Sequence, residues 1–183
     1  MAANPLSLAP RLTEIELVIL IDWLVRVPRE EFEGRIEPHE TLTSLREWIA
    51  AQRRIRGRPA FQSALERASV GSDSPMETKL RLALEDAGIT GAVCNAVITD
   101  GGHVLGQPDL AFLEAKVAVD YHGAHHWTAD GIARDLRKRD RFERAGWKYI
   151  ELCADHAVHD WAPATRLIRD AVSSPSLPVT GRV

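Results

Sequence analysis

Apolar positions near the start of the chain recur at helical spacing. Residues 12–27 predict a helix, or a helix running into a strand, which the proline and glycine of PREEFEG interrupt. Leu42, Leu45, Trp48 and Ile49 restore the helical period over residues 41–54, and a third helix is expected over residues 60–69. The glycine, serines and aspartate of residues 70–74 then mark a boundary near residue 71.

Beyond that boundary the pattern changes. Ser74, Pro75 and Glu77 combine a capping serine, a proline in the first turn and a glutamate three residues after the cap, so a helix should start here and stop at Gly88. Weak alternation over residues 92–99 predicts a strand, with Asp100, Gly101 and Gly102 as the turn that follows. PDLAF and KVAVDYHG are two further strand-prone runs, separated by Leu113, Glu114 and Ala115. A helix over residues 130–145, a strand over 147–152 and a helix over 163–172 complete the series. The order helix, three strands, helix, strand, helix implies an α/β chain whose mixed sheet is flanked by helices on both faces. The expected organisation is a small helical region at 1–71, the sheet domain at 72–172 and a flexible tail at 173–183, where two prolines leave little to bury.

Composition narrows the picture only in places. A chain of 183 residues has room for one core of ordinary size and a small appendage. The longest apolar run, residues 15–27, is broken by Glu16, Asp22 and Arg26 and falls short of the roughly 18 to 20 residues that span a bilayer, so it reads as a core helix. No secretory leader pattern opens the chain, and a reducing cytoplasmic setting is the expectation. Cys94 and Cys153 fit no metal spacing and read as small buried apolar residues. A formal net charge of −3 argues against indiscriminate coating of nucleic acid. Local charge differs. Arg53, Arg54, Arg56 and Arg58 form one basic stretch; Arg134, Arg137, Lys138, Arg139, Arg141, Arg144 and Lys148 form another. Each is either a phosphate-facing surface or a solvated helix face, the second partly neutralised by Asp135, Asp140 and Glu143.

The hairpin carries the sharpest physical argument. A loop centred between Glu114 and Ala115 sets Asp109 opposite Asp120 and Ala111 opposite Ala118, and it gathers Leu110, Phe112, Val117 and Val119 on the other face, ready for burial. Directly opposed side chains have β-carbons about 4.5 to 5.5 Å apart, where two like charges destabilise the pairing. A divalent cation with oxygen ligands, Mg²⁺ or Mn²⁺, would offset the repulsion. The alternatives are a protonated or outward-turned carboxylate, or a shifted register. His122, two residues past Asp120, extends the polar cluster along the same face.

In order along the chain, SPMETKLRLALEDAG, GQPDLAF, KVAVDYHGAHHW and RDLRKRDRFERAGWKYIEL resemble the Vsr-like branch of the PD-(D/E)XK nuclease superfamily, within a bacterial group related to very short patch repair endonucleases. The resemblance covers residues 72–155. It implies a restriction-endonuclease-like core and a metal-dependent DNA endonuclease, with roles in DNA repair or in defence against phage and mobile elements. By the same resemblance Asp109 is the metal-binding aspartate, and Asp120 the second acidic position, more often glutamate in close relatives. Glu77 is a first-helix glutamate that approaches the metal, although capping explains it equally well. His122 stands where the wider superfamily often has lysine and the repair endonucleases have histidine. Asp135 matches an aspartate that orients the site.

The mechanism this implies is hydrolysis of a DNA phosphodiester. Asp109, Asp120 and the Tyr121 carbonyl would hold Mg²⁺, His122 or a carboxylate would accept a proton from the attacking water, and Lys138 would neutralise the leaving oxygen. Arg134, Arg137, Lys138, Arg141, His125 and His126 would meet the DNA. The region before residue 72 is similar to the linker that follows AbiEi-type antitoxin modules, so a partner protein supplying DNA targeting is a further expectation. Two alternatives stay open: an impaired nuclease fold acting as a DNA-binding regulator or antitoxin-like partner, and a zinc phosphoesterase built on His122, His125 and His126.

Overall fold

The computed structural model describes residues 11–52, 56–123 and 129–174. They divide into two compact units, Met1–Leu82 and Ala83–Val183, and the division falls within a helix.

The first unit is helical. Residues 12–27 form one helix without a strand, α1 (Glu14–Val25), fixed at its start by a reciprocal cap. Thr13 Oγ1 accepts the Glu16 N–H at 3.3 Å, and Glu16 Oε2 accepts the Thr13 N–H at 2.8 Å. After the break comes a single turn, α2 (Glu30–Glu33), closed by Gly34 in the left-handed region at φ 63. Thr41 and Ser44 cap α3 (Leu42–Ala51) in the same reciprocal way, and Gly57 precedes α4 (Arg58–Arg67). Leu17, Val18 and Ile21 of α1 pack with Leu45, Ile49, Phe61, Ala64 and Leu65 into one apolar cluster. Full burial of each large side chain contributes about 1.5–3 kcal/mol.

One polar network pierces that unit. Asp22, on α1, is buried and receives the Arg81 guanidinium at 2.9 Å, the Thr78 hydroxyl at 2.8 Å and the Ser69 N–H at 2.8 Å. Burial pushes its carboxyl above the usual aspartate range, and the charge of Arg81 opposes that shift.

Helix α5 (Pro75–Asp86) starts and stops as its sequence predicts. The Ser74 hydroxyl accepts the Glu77 N–H at 3.2 Å, and Gly88 follows at φ 77.

The second unit carries the sheets. The single strand expected over residues 92–99 is instead two, β1 (Val93–Cys94) and β2 (Ile98–Asp100), because Asn95 takes a left-handed conformation at φ 46 that ends the first. The turn at Gly101 and Gly102 does form, and it leads into a strand the alternation did not reveal, β3 (His103–Gly106). β2 and β3 make a separate two-stranded ribbon. The main sheet adds β4 (Leu110–Phe112), β5 (Val117–Tyr121) and β6 (Lys148–Leu152) in the order β1-β4-β5-β6. β1/β4 and β4/β5 are antiparallel, while β5/β6 is parallel, reached through the crossover helix α6 (Ala129–Arg144). The sheet is therefore mixed, as the element order predicts.

Both faces of the sheet are covered. Ala111, Ala118 and Tyr149 cluster with Phe142 of α6 and with Trp147. Tyr121 points to the opposite face, where its ring meets Trp161 at 5.4 Å. Trp161 belongs to α7 (Val158–Ser173), whose first residues do not hold helical geometry: His159, Asp160 and Trp161 have positive φ, so regular helix begins after them, close to the predicted start at Pro163. Between β6 and α7 lies a 3₁₀ turn, Ala154–Ala157.

The cysteines correct their expectation. Cys94 is half-buried and Cys153 is exposed, with its sulfur 3.3 Å from His156 Nδ1. Among the described residues no helix is long and apolar enough to cross a membrane.

Candidate active site

β4 and β5 pair with Leu110 opposite Val119, Ala111 opposite Ala118 and Phe112 opposite Val117. Leu110, Phe112, Val117 and Val119 are all buried on one face. The same register continued by one residue brings Asp109 opposite Asp120, and hydrogen bonds tie each carboxylate to a backbone amide at the other residue's position. Asp109 N–H donates to Asp120 Oδ1 at 3.0 Å, and Tyr121 N–H donates to Asp109 Oδ2 at 2.7 Å. Each side chain is thus held by an amide of the other's strand.

Two like charges about 5 Å apart, at an effective dielectric of about 20, repel by about 3 kcal/mol. The offset here is a lysine. Lys138 Nζ lies 2.6 Å from Asp120 Oδ2 and 2.6 Å from the Gln107 carbonyl, with only 18% of its side chain exposed. The Tyr149 hydroxyl donates to the same Asp120 oxygen. Burial, and then the Asp120 charge, hold the Tyr149 phenol protonated far above the usual tyrosine range. Gly106 makes room for this packing, since a β-carbon there would lie 3.2 Å from Lys138 Cγ and 3.3 Å from Phe142 Cε2.

A second ionic group lies next along the parallel pair. Glu151 stands beside Asp120 in register, 3.7 Å from His122 Nε2, and accepts Arg139 Nη1 at 2.9 Å. Arg139 also donates through Nε to Glu143 at 2.9 Å, and these two carboxylates raise its pKa, the Glu143 hydrogen bond foremost. The His122 N–H donates to the Leu152 carbonyl at 2.7 Å, which fixes the backbone where β5 ends.

The remaining candidates fall in several places. Lys138 was expected on the DNA-facing side of α6 with Arg134, Arg137 and Arg141; it turns inward because it lies one turn before the fully buried Phe142. Of the apolar residues Ile132, Leu136 and Phe142, which line up as a stripe on α6, Phe142 is fully buried while Ile132 and Leu136 are exposed, at 39% and 59%. Asp135 is half-buried, three residues before Lys138 and on its side of the helix. Arg134 and Arg137 are exposed, and the exposed Arg141 donates through Nε to the Leu105 carbonyl at 2.7 Å. Glu77 lies in the first unit, buried, with Oε2 accepting the Asp73 N–H at 2.8 Å, one residue earlier than the reciprocal cap expected. Tyr121 supplies its amide to Asp109 and its ring to the opposite face. His125, His126, Arg53 and Arg54 lie outside the described residues. Arg56 is exposed, and Arg58 Nη1 donates to the Gln52 carbonyl at 2.8 Å.

Sequence reasoning missed Tyr149, Glu151 and Gln107, and it read Arg139 only as part of a basic stretch. Alternation in KYIEL does set Tyr149 and Glu151 on one face, but nothing local states which strand β6 pairs with.

This arrangement does not fit a divalent ion at Asp120. Its Oδ1 carries the Asp109 amide, and its Oδ2 carries both Lys138 and Tyr149. Among the described residues, no three His, Cys, Asp or Glu side chains are grouped to hold a metal. What the centre can do without one is present positive charge, from Lys138, beside two oriented carboxylates. Compared with family models, with curated proteins and with solved structures, the chain matches none.

Proposed function

We propose that the second unit binds DNA and hydrolyses its phosphodiester bonds, with Asp109, Asp120 and Lys138 as the catalytic centre. The observation that carries this reading is the opposition of Asp109 and Asp120 across β4 and β5, with the Lys138 ammonium 2.6 Å from one of the carboxylates. Opposed carboxylates bought at a cost in strand pairing are a poor structural device, since two apolar residues would stabilise the hairpin better. They make sense as chemistry.

In this reading Lys138 faces the phosphate and neutralises charge that develops on its oxygens. His122, one-third exposed at the end of β5, accepts the proton of the attacking water, a task suited to an imidazole. Asp135 orients Lys138 from the same side of α6, while the exposed Arg134 and Arg137 hold flanking phosphates. The restriction-endonuclease-like assignment of the mixed sheet and the link to DNA repair or defence belong to the same proposal.

Purified protein incubated with supercoiled, nicked and mismatched DNA, with Mg²⁺, with Mn²⁺ and with chelator, tests it. Cleavage that Asp109→Ala abolishes is expected. DNA binding without cleavage under every metal would instead support the second reading, a regulator built on a nuclease fold, which the saturation of both Asp120 oxygens favours.

A further inference from the structure

We infer that the outward side of α1 is a dimerisation surface, and that its occupant is α1 of a second copy of this chain, laid antiparallel. The inference concerns the first unit and stands whether or not the second unit cleaves DNA.

The sequence of α1, EIELVILIDWLV, carries apolar residues on every side, and a helix of that kind is ordinarily covered all round. Within its own unit α1 is covered on one side, by the cluster that holds Leu17, Val18 and Ile21. Ile15, Ile19 and Trp23 follow one another at four-residue spacing on the other side, with Val27 just past the helix. Ile19 is half-buried, and the other three are exposed, Trp23 at 47%. A space of about 340 Å³ opens over this stripe, lined by Ile19, Leu20 and Trp23 and by Ser72, Asp73 and Pro75, and its wall is almost wholly apolar. Such a groove takes an apolar side chain, and exposed apolar patches with polar rims mark protein contacts. The indole of Trp23 is held by the His39 ring, 4.6 Å away between centroids, so this anchor is ordered before it binds.

Two features select a second copy. The first is spacing. In an antiparallel pair of α1 helices whose twofold axis lies level with position 21, Ile19 of each copy faces Trp23 of the other, and Ile15 faces Val27. The stripe therefore matches itself, and each indole enters the groove of the other copy. The second feature is charge. Glu16 lines the groove at the amino-terminal end of the stripe. At the carboxy-terminal end the guanidinium groups of Arg26, Arg29 and Arg35 bond the carboxylates of Glu33 and Asp73, so three cations meet two anions, and the Arg29 side chain is 59% exposed. The same antiparallel arrangement sets Glu16 of each copy against the Arg29 end of the other. A parallel pair would instead oppose like charges.

Analytical ultracentrifugation of the full chain over a concentration series tests this. Wild type should sediment as a dimer that dissociates on dilution. Trp23→Ser should weaken self-association at least about 10-fold, as loss of a buried aromatic anchor does. Glu16→Lys and Arg29→Glu should each weaken it about 3-fold or more, because each then opposes like charges across the axis. Mixed in equal amounts, these two variants should associate with one another about as tightly as wild type does with itself, since each supplies the charge the other has lost. A role confined to one chain cannot produce that recovery. Circular dichroism and thermal melting verify that each variant folds, and Ile15→Ser replaces the Trp23 variant if that one does not. A wild-type chain that stays monomeric up to about 0.5 mM overturns the inference and leaves the face to a different partner. So does a dimer that Trp23→Ser leaves intact, or a mixture of the two charge variants that associates no better than either alone.

Discussion

Asp109 and Asp120 hold each other in place through crossed bonds: the Asp109 amide donates to the Asp120 carboxylate at 3.0 Å, and the amide after Asp120 donates to the Asp109 carboxylate at 2.7 Å. Charge and geometry can therefore be separated at position 120. Asp120→Asn retains an acceptor for the Asp109 amide but removes the charge that faces Lys138, so the fold and DNA binding should persist while cleavage falls about 100-fold or more. Asp120→Ala removes the acceptor as well, leaving the Lys138 ammonium and the Tyr149 hydroxyl short of a partner, and should cost a further 1–3 kcal/mol or so of stability. Cleavage rates, DNA anisotropy and urea unfolding of the two variants check this. Equal cleavage by Asp120→Asn and wild type would refute the catalytic role.

The buried pair of the first unit makes a different prediction. Asp22 is 1% exposed at its side chain and Arg81 is 4% exposed, so neither can exchange its partner for water. Asp22→Ala removes the buried carboxylate that the Arg81 guanidinium, the Thr78 hydroxyl and the Ser69 amide share. A loss of about 3–5 kcal/mol is expected, the usual consequence of breaking a buried ion pair from one side. Chemical denaturation measures it, and a loss below about 1 kcal/mol would show that water reaches the site.

How much of this was legible beforehand follows from what is local. The β4–β5 register could be read because the loop is short and Leu110, Phe112, Val117 and Val119 must share one buried face; a slip of one residue would expose all four. That alone set Asp109 opposite Asp120. The neighbours of Asp120 could not be read the same way. β6 joins β5 in parallel through a sixteen-residue helix, so no hairpin rule fixes which of its residues stands beside Asp120. The inward turn of Lys138 was hidden by its company, one basic residue among many on α6, and by the stripe of Ile132, Leu136 and Phe142, of which Phe142 alone is buried. Asn95 was equally silent, since one left-handed residue splits a strand whose alternation reads as continuous.

Acid stability should depend on Glu33. Hydrogen bonds from the Arg26 guanidinium, at 2.8 Å, and from the Arg29 amide, at 3.1 Å, with Arg35 at 2.8 Å, lower its pKa from the ordinary 4.5 to about 2. A carboxylate lowered in the folded state stabilises the fold above its unfolded value, and that contribution disappears as pH falls from about 4.5 toward about 2. Asp22 acts with the opposite sign, because burial raises it and its ionised form is the costly one. Urea midpoints between pH 2 and 6, for wild type and Glu33→Gln, should therefore show a shallower acid-side fall in the variant. Parallel curves would remove Glu33 from the account.

Gly106 ties the fold of the ribbon to the position of Lys138. Its φ of +151 is one that residues with a β-carbon rarely adopt, and that carbon would meet Lys138 Cγ at 3.2 Å, Lys138 Cε at 3.3 Å and Phe142 Cε2 at 3.3 Å. The lysine stem can yield by rotating toward solvent; the ring of Phe142 cannot, being fully buried among Ala111, Ala118 and Tyr149. Gly106→Ala should therefore act twice. Backbone strain and overpacking should lower stability by about 1–3 kcal/mol. The displaced stem should also weaken the hold of Lys138 on Asp120, so that DNA cleavage falls by more than the fraction of protein left folded. Thermal melts and DNA cleavage rates on the same preparation separate the two effects. A destabilised variant that cleaves DNA at the wild-type rate would mean that the lysine keeps its place against Asp120 despite the intruding methyl group.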